Sequence, residues 1–167
     1  LLALGQMRDR PAQELAAFAV EEAIGLTKSR IGYLAALNED ETVLTMLYWS
    51  KSAYRACQIG EKPILYELVK TGLWGEAVRQ RRPIITNDYA AANPWKKGLP
   101  EGHVPISRHM NLPIFEKDRI VAVAGVGNKE TDYNEHDVRQ LHILMDGWWQ
   151  VAERKRAEAE LWKALER

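Results

Sequence analysis

The sequence predicts an α+β domain, one antiparallel sheet with helices on its faces. Three observations carry that reading. Apolar residues repeat at helical spacing towards both ends of the chain. Short apolar runs broken by turn residues fill the middle. The resulting order is helix, two strands, helix, strand, loop, two strands, long helix, and one antiparallel sheet satisfies it.

Leu1-Leu2-Ala3-Leu4 reads as the end of an incoming helix, so residues 1–12 are taken as an incoming helix or linker. From Gln13 to Thr27, apolar residues fall at Leu15, Phe18, Ala19, Ala23 and Leu26 behind the helix starter Pro11. Ile31 to Leu37 is a strand, Asn38-Glu39-Asp40-Glu41 its turn, and Val43 to Trp49 the returning strand. Leu73 to Arg81 reads as a second helix, stopped by Pro83, and Ile84 to Thr86 as a short strand. Asn87 to Pro105 is about nineteen residues of irregular chain, a length that in a compact domain tends to serve function. His109 to Phe115 is a strand and Glu116-Lys117-Asp118 a tight turn. Ile120 to Asn128 is almost continuously apolar, which places it centrally in the sheet with both faces covered.

The last helix opens at Asn134, an N-cap followed by Glu135 and Asp137 in the positive first turn, and runs towards Arg167. Val138, Leu141, Met145 and Trp148 form a stripe for the sheet. Beyond Gln150 the helix turns to Glu, Lys, Arg and Ala, with Trp162 and Leu165 left over. Trp148, Ala152, Ala159 and Trp162 have spacings that fit a heptad seam with a partner helix; a solvated tail is the alternative. The chain therefore divides into 1–12, a domain over 13–150, and a signalling helix or linker over 151–167.

Composition narrows the function. Lys plus Arg and Asp plus Glu are 23 each, which gives no footprint for nucleic acid or an anionic membrane. The lone Cys57 forms no internal disulfide and no CxxC pair, in keeping with a cytoplasmic location. No run approaches the roughly 18 apolar residues of a spanning helix. The opening at Leu1, without Met, reads as a piece of a longer protein, so a membrane anchor elsewhere stays open.

Catalytic patterns are not found. Cys57 has no His or Asp neighbour in sequence, and Ser50, Ser52 and Ser107 lack a GxSxG frame. His103, His109, His136 and His142 show no HExxH spacing, and no metal site is expected. Gly125-Val126-Gly127-Asn128 lacks the third Gly and the Lys of a phosphate loop and is read as packing and turn geometry.

The informative constellation surrounds the long loop. Asn87, Asp88 and Tyr89 stand where it begins, Trp95, Gly98 and His103 lie within it, and Arg108 and Asn128 edge the strands that follow. Trp49 and Trp74 sit at the ends of neighbouring elements. Aromatic walls with a few directional polar groups make a small-ligand pocket. The same residues also admit plainer roles: Trp49 and Trp74 as core, Asn87 and Asp88 as turn caps, Arg108 as a partner for Asp88.

Four ordered stretches, Gly72–Arg79, Arg82–Tyr89, Lys97–His103 and Val121–Lys129, make the chain resemble GAF domains of bacterial signalling proteins over about residues 13–155. The similar domains usually precede histidine kinase or diguanylate cyclase modules. The resemblance implies a central antiparallel sheet of about five to six strands, helices on one face, a loop-covered pocket on the other and a long C-terminal signalling helix. It implies a non-catalytic sensor that binds a small molecule, pairs as a homodimer through its terminal helices and acts on an output module in the same chain. It does not name the ligand. Cys57 has no adjacent His, so the bilin-attachment pair is missing; a haem ligand has no positive support; and Asn128-Lys129-Glu130-Thr131-Asp132 does not match the cyclic-nucleotide motif. A small acid or polar metabolite suits Arg108, His103 and Asn87. A dimerisation or spacer module without ligand, and a redox enzyme using Cys57, are the competing readings.

Overall fold

The apolar run that ends in Gly127 lies at the centre of the sheet, as its composition requires. The computed structural model describes residues 2–56, 64–98 and 104–167. Helices α1 (Leu2–Gln6) and α2 (Ala12–Thr27) are followed by strands β1 (Ile31–Leu37) and β2 (Val43–Trp49). Helix α3 (Lys51–Ala56), strand β3 (Leu65–Glu67), two 3-10 turns at Leu68–Lys70 and Leu73–Gly75, and helix α4 (Glu76–Arg79) come next. Strands β4 (Ile84–Thr86), β5 (His109–Glu116) and β6 (Arg119–Gly127) complete the sheet, and α5 (Glu135–Leu165) closes the chain. The six strands run β3-β2-β1-β6-β5-β4, and each pairs antiparallel with its neighbours.

Strand alternation sorts the side chains onto two faces. Leu34, Met110, Leu112, Ile114, Ala122, Ala124 and Val126 point to one face and pack under α2 and α5. The α5 stripe of Val138, Leu141, Leu144, Met145 and Trp148 is buried there, each large side chain contributing roughly 1.5–3 kcal/mol. Leu4 of α1 is buried in the same layer, so the opening helix docks on this domain. The opposite face carries Tyr33, Ala35, Leu37, Leu44, Met46 and Val123 beneath Leu73, Ala77 and Val78. No helix among the described residues is long and apolar enough to cross a membrane.

Two expectations change. The helix read over Leu73–Arg81 is a 3-10 turn followed by the single turn of α4. Gly72 and Gly75 weaken a continuous helix, and Thr71 packs against Gly75 so closely that a Cβ there would meet its Oγ1 at 1.9 Å. Arg79 holds this tight form: its guanidinium donates to the carbonyls of Leu68, Thr71 and Gly72 and pairs with the buried carboxylate of Glu76. The second change is α3 and β3, which the periodicity did not reveal because neither spans enough residues to show a period.

Candidate functional site

A row of side chains crosses the face opposite the long helices. Trp49 on β2 pairs with Tyr33 on β1, Tyr33 with Gly125 on β6, Gly125 with Asn111 on β5, and Asn111 with Ile84 on β4. Gly125 makes the row possible. A Cβ there would lie 2.2 Å from Tyr33 Cε1 and 2.5 Å from Asn111 Oδ1. Without one, the Tyr33 ring lies across the central strand and its hydroxyl donates to Asn111 Oδ1 at 2.5 Å. This gives Gly125-Val126-Gly127 the packing role expected of it.

His109 stands two residues before Asn111 on the same face of β5. Asn111 Nδ2 is 2.8 Å from one ring nitrogen of His109 and 3.0 Å from the other. Asn111 is fully buried and His109 only 9% exposed. Burial pushes the His109 pKa down to about 4 and raises that of Tyr33, because a low-dielectric setting disfavours either charged form. At neutral pH the floor is therefore a phenol, a carboxamide and an uncharged imidazole.

Aromatic rings wall this floor. Trp49 meets Tyr33 at a centroid distance of 5.9 Å, and Trp74 meets Tyr33 edge-on at 5.6 Å and Tyr66 at 5.2 Å. Tyr89 stands edge-on to His109 at 6.0 Å, with Lys96 Nζ 5.1 Å from its ring centroid. Trp49, Trp74 and Tyr89 are thus brought together, two as half-buried wall and the third at the start of the loop.

The other expected residues lie elsewhere. Asn87 clasps the backbone of Tyr133: its Nδ2 donates to Tyr133 O at 3.1 Å, and Tyr133 N donates to its Oδ1 at 2.8 Å. Asn128, at φ +62°, accepts from Ser107 N at 2.8 Å and donates to Pro105 O at 2.8 Å. Arg108 Nε donates to Asp132 at 3.0 Å, and Asp132, not Asp88, is its partner. These residues fasten both ends of the β4–β5 loop to the β6–α5 connection. Asp88 is an exposed turn cap that accepts from Ala91 N, Trp95 is 41% exposed, and Gly98 turns at φ +78°. His103 and Cys57 lie outside the described residues.

The connection is itself anchored. Asn134 accepts from His136 N and Asp137 N, while Asp137 accepts from Asn134 N, forming a capping box. Asp137 is buried and paired with Lys129 at 2.7 Å. The Tyr133 hydroxyl is 2.7 Å from Ser29 Oγ, and Ser29 is 2.7 Å from Thr27 at the end of α2. Burial lifts the Tyr133 pKa to about 12. On α5, Trp148 belongs to the domain core and Ala152 packs against it, whereas Ala159 and Trp162 face solvent. Among the described residues no group of His, Cys, Asp and Glu is arranged to hold a metal.

Sequence reasoning missed Tyr33, His109 and Asn111 as floor residues. The available signal was Asn111, a carboxamide inside the otherwise apolar Met110-Asn111-Leu112-Pro113-Ile114, on a strand facing a glycine-bearing central strand.

The family model described as "GAF domain" matches residues 9–153. The methyl sulfide methyltransferase-associated sensor of Methanosarcina acetivorans is 54% identical over 161 residues, covering 96% of this chain. The chain spans only 16% of that relative's length. Among solved structures, the GAF domain of an Acinetobacter phosphoenolpyruvate-protein phosphotransferase aligns with a TM-score of 0.72 at 15% identity, covering 93% of this chain and 91% of that one. The corresponding domain from Coxiella burnetii aligns at 0.71 and 15% identity, over 97% and 93%. A segment of a methyl-accepting chemotaxis protein gives 0.71 at 13% identity, over 93% and 96%. At these identities the solved structures bear on the fold alone.

Proposed function

The chain belongs to the GAF domain family, and from that premise we propose that it is a non-catalytic sensory module. It binds a small molecule on the face carrying Tyr33, Trp49, Trp74, Tyr89, His109 and Asn111. The signal passes to α5 and through it to an output module of the histidine kinase or diguanylate cyclase type. The single observation that carries this reading is the joining of two features by one loop. Tyr89, at one end of the β4–β5 loop, touches the polar floor. Asn87, Ser107 and Arg108 of the same loop hold the residues that lead into α5. A ligand that repositions the loop thereby changes the footing of the helix, provided it binds the two arrangements with different affinity. The name of the Methanosarcina acetivorans relative, a sensor, agrees with this role.

The test is a thermal-shift screen against small acids, amino acids, nucleotides and tetrapyrroles. A binder at a hundred times its dissociation constant adds about 2.7 kcal/mol of stability. A selective hit that disappears in a folded Asn111→Leu variant supports the sensor and its location. Absence of a shift from every class overturns it in favour of a spacer module. Exposed Leu161, Trp162 and Leu165 on α5 favour that second reading, since they offer association without a ligand.

A further inference from the structure

The floor of the site has an imbalance in its hydrogen-bonding capacity. Tyr33 brings one donor hydrogen, the Asn111 carboxamide two and a neutral His109 ring one. Among the described residues these side chains hydrogen-bond only to one another: Tyr33 to Asn111, and Asn111 to His109. Each contact uses one hydrogen, so two of the four donors have no acceptor. Turning the carboxamide over does not help. Asn111 then donates to the Tyr33 oxygen and accepts from the His109 ring, and two donors are still left. Buried donors without an acceptor are rare, and rarer than carbonyl oxygens with a spare lone pair. The cluster is thus built to give hydrogen bonds, and it gives them beneath aromatic walls.

Charge points the same way. Arg108 is engaged by Asp132, Arg79 by Glu76 and backbone carbonyls, Lys96 by the carbonyls of Tyr89 and Ala91, and Lys97 by that of Val69. Of these cations only Lys96 comes near, over the Tyr89 ring and held by backbone carbonyls rather than against Tyr33, Asn111 or His109, and burying an unpaired carboxylate is costly. The small-acid ligand expected from Arg108, His103 and Asn87 therefore loses one of its supports.

We propose that the face bearing Tyr33, Asn111 and His109 takes an uncharged, flat ligand that presents a hydrogen-bond acceptor, a carbonyl oxygen or a ring nitrogen, to this cluster. This rests on the sensory reading above and names its ligand class. The aromatic walls hold the flat faces and the spare donors hold the acceptor.

Three probes of similar size separate the terms. Nicotinamide is neutral with acceptors, nicotinate carries a carboxylate, and indole is neutral and flat but brings only a donor. Binding is followed at pH 7.5 by thermal shift and by the ring-nitrogen resonances of the histidines in the unmodified chain. Nicotinamide is expected to bind at least tenfold more tightly than either of the others and to move the His109 ring signals. The isosteric Asn111→Asp variant replaces the two carboxamide hydrogens with acceptors for Tyr33 and His109 and places a negative charge where the ligand's acceptor would sit, and should lose at least tenfold in nicotinamide affinity. If that variant does not fold, the His109 signals in the unmodified chain still decide. Nicotinate or indole binding as tightly as nicotinamide overturns the ligand class while leaving a ligand site in place. Nicotinamide binding that leaves the His109 ring unmoved overturns the assignment to this cluster. Failure of all three probes overturns the ligand class, and only failure of the wider screen as well overturns the sensor.

Discussion

His109 shows how one buried residue sets a property of the whole chain. Its pKa falls from an ordinary value near 6.5 to about 4 on folding, since the ring is desolvated and no carboxylate faces it among its recorded partners, Asn111 and Tyr89. Above pH 6.5 the ring is neutral in both folded and unfolded chains, and its stabilising share is complete. As the pH drops below 6.5 the unfolded chain takes up a proton that the folded chain refuses until about pH 4, so stability is lost across that window. Between pH 7 and pH 5 the loss from this residue is about 2 kcal/mol. Chemical denaturation at the two pH values should show the difference, and His109→Gln should remove most of it; an unchanged pH dependence in the variant would show that the ring is not held neutral. The sequence alone does not disclose this, because His109 at the head of a strand looks like any other histidine. Its neutrality follows from burial, which only the assembled fold provides, with Asn111 and Tyr89 among the residues that pack around the ring. Gly125 is likewise unremarkable until the register places it between Tyr33 and Asn111.

Elements with strong local patterns were legible and elements made by tertiary contacts were not. Strands β1 and β2 and the cap of α5 follow directly from short apolar runs, the turn residues between them and an Asn followed by acidic residues. Helix α4 and the turn before it depend on Arg79 reaching carbonyls of the preceding segment, which no periodicity records. The loop clamp belongs to the second kind. Asn87, Arg108 and Asn128 stand out in the sequence as polar residues beside the loop, but only the fold shows that Asn87 and Arg108 grip the β6–α5 connection and that Asn128, within it, grips the loop. This separates two substitutions on neighbouring structure. Asn134→Ala removes the cap of α5 and should cost about 1 kcal/mol. Asn87→Ala leaves an N–H and a C=O of Tyr133 without their partners and should cost roughly 1–3 kcal/mol. Hydrogen exchange distinguishes them further. Amides of residues 88–98 should exchange faster in Asn87→Ala, where the loop loses its anchor, and stay unchanged in Asn134→Ala. Equal protection in both would mean that the loop and the helix are not joined through Asn87.

At the scale of the whole molecule, α5 is out of proportion to the domain beneath it. Its 31 residues extend about 46 Å at 1.5 Å per residue. Its first half is core, holding Val138, Leu141, Met145 and Trp148. From Arg156 onwards every residue is exposed, including Leu161 at 60%, Trp162 at 67% and Leu165 at 69%. Arg156 pairs with Glu153 and Glu160 along the helix surface, and exposed pairs of that kind contribute little. A helix with three large apolar side chains in its last turns and nothing of its own domain beneath them would be satisfied by the same stretch of a second copy, related by a two-fold axis. Trp148 and Ala152 are occupied within the domain, so the expected seam would start later than the heptad spacing indicates and rest on the final turns. Sedimentation velocity should find a dimer of the unmodified chain. The triple variant Leu161→Glu, Trp162→Glu, Leu165→Glu should be monomeric, with the unfolding of the domain itself unaltered because none of these side chains touches the core. A monomer before substitution, or a dimer that survives it, would assign these residues to a solvated tail and place any self-association on another surface.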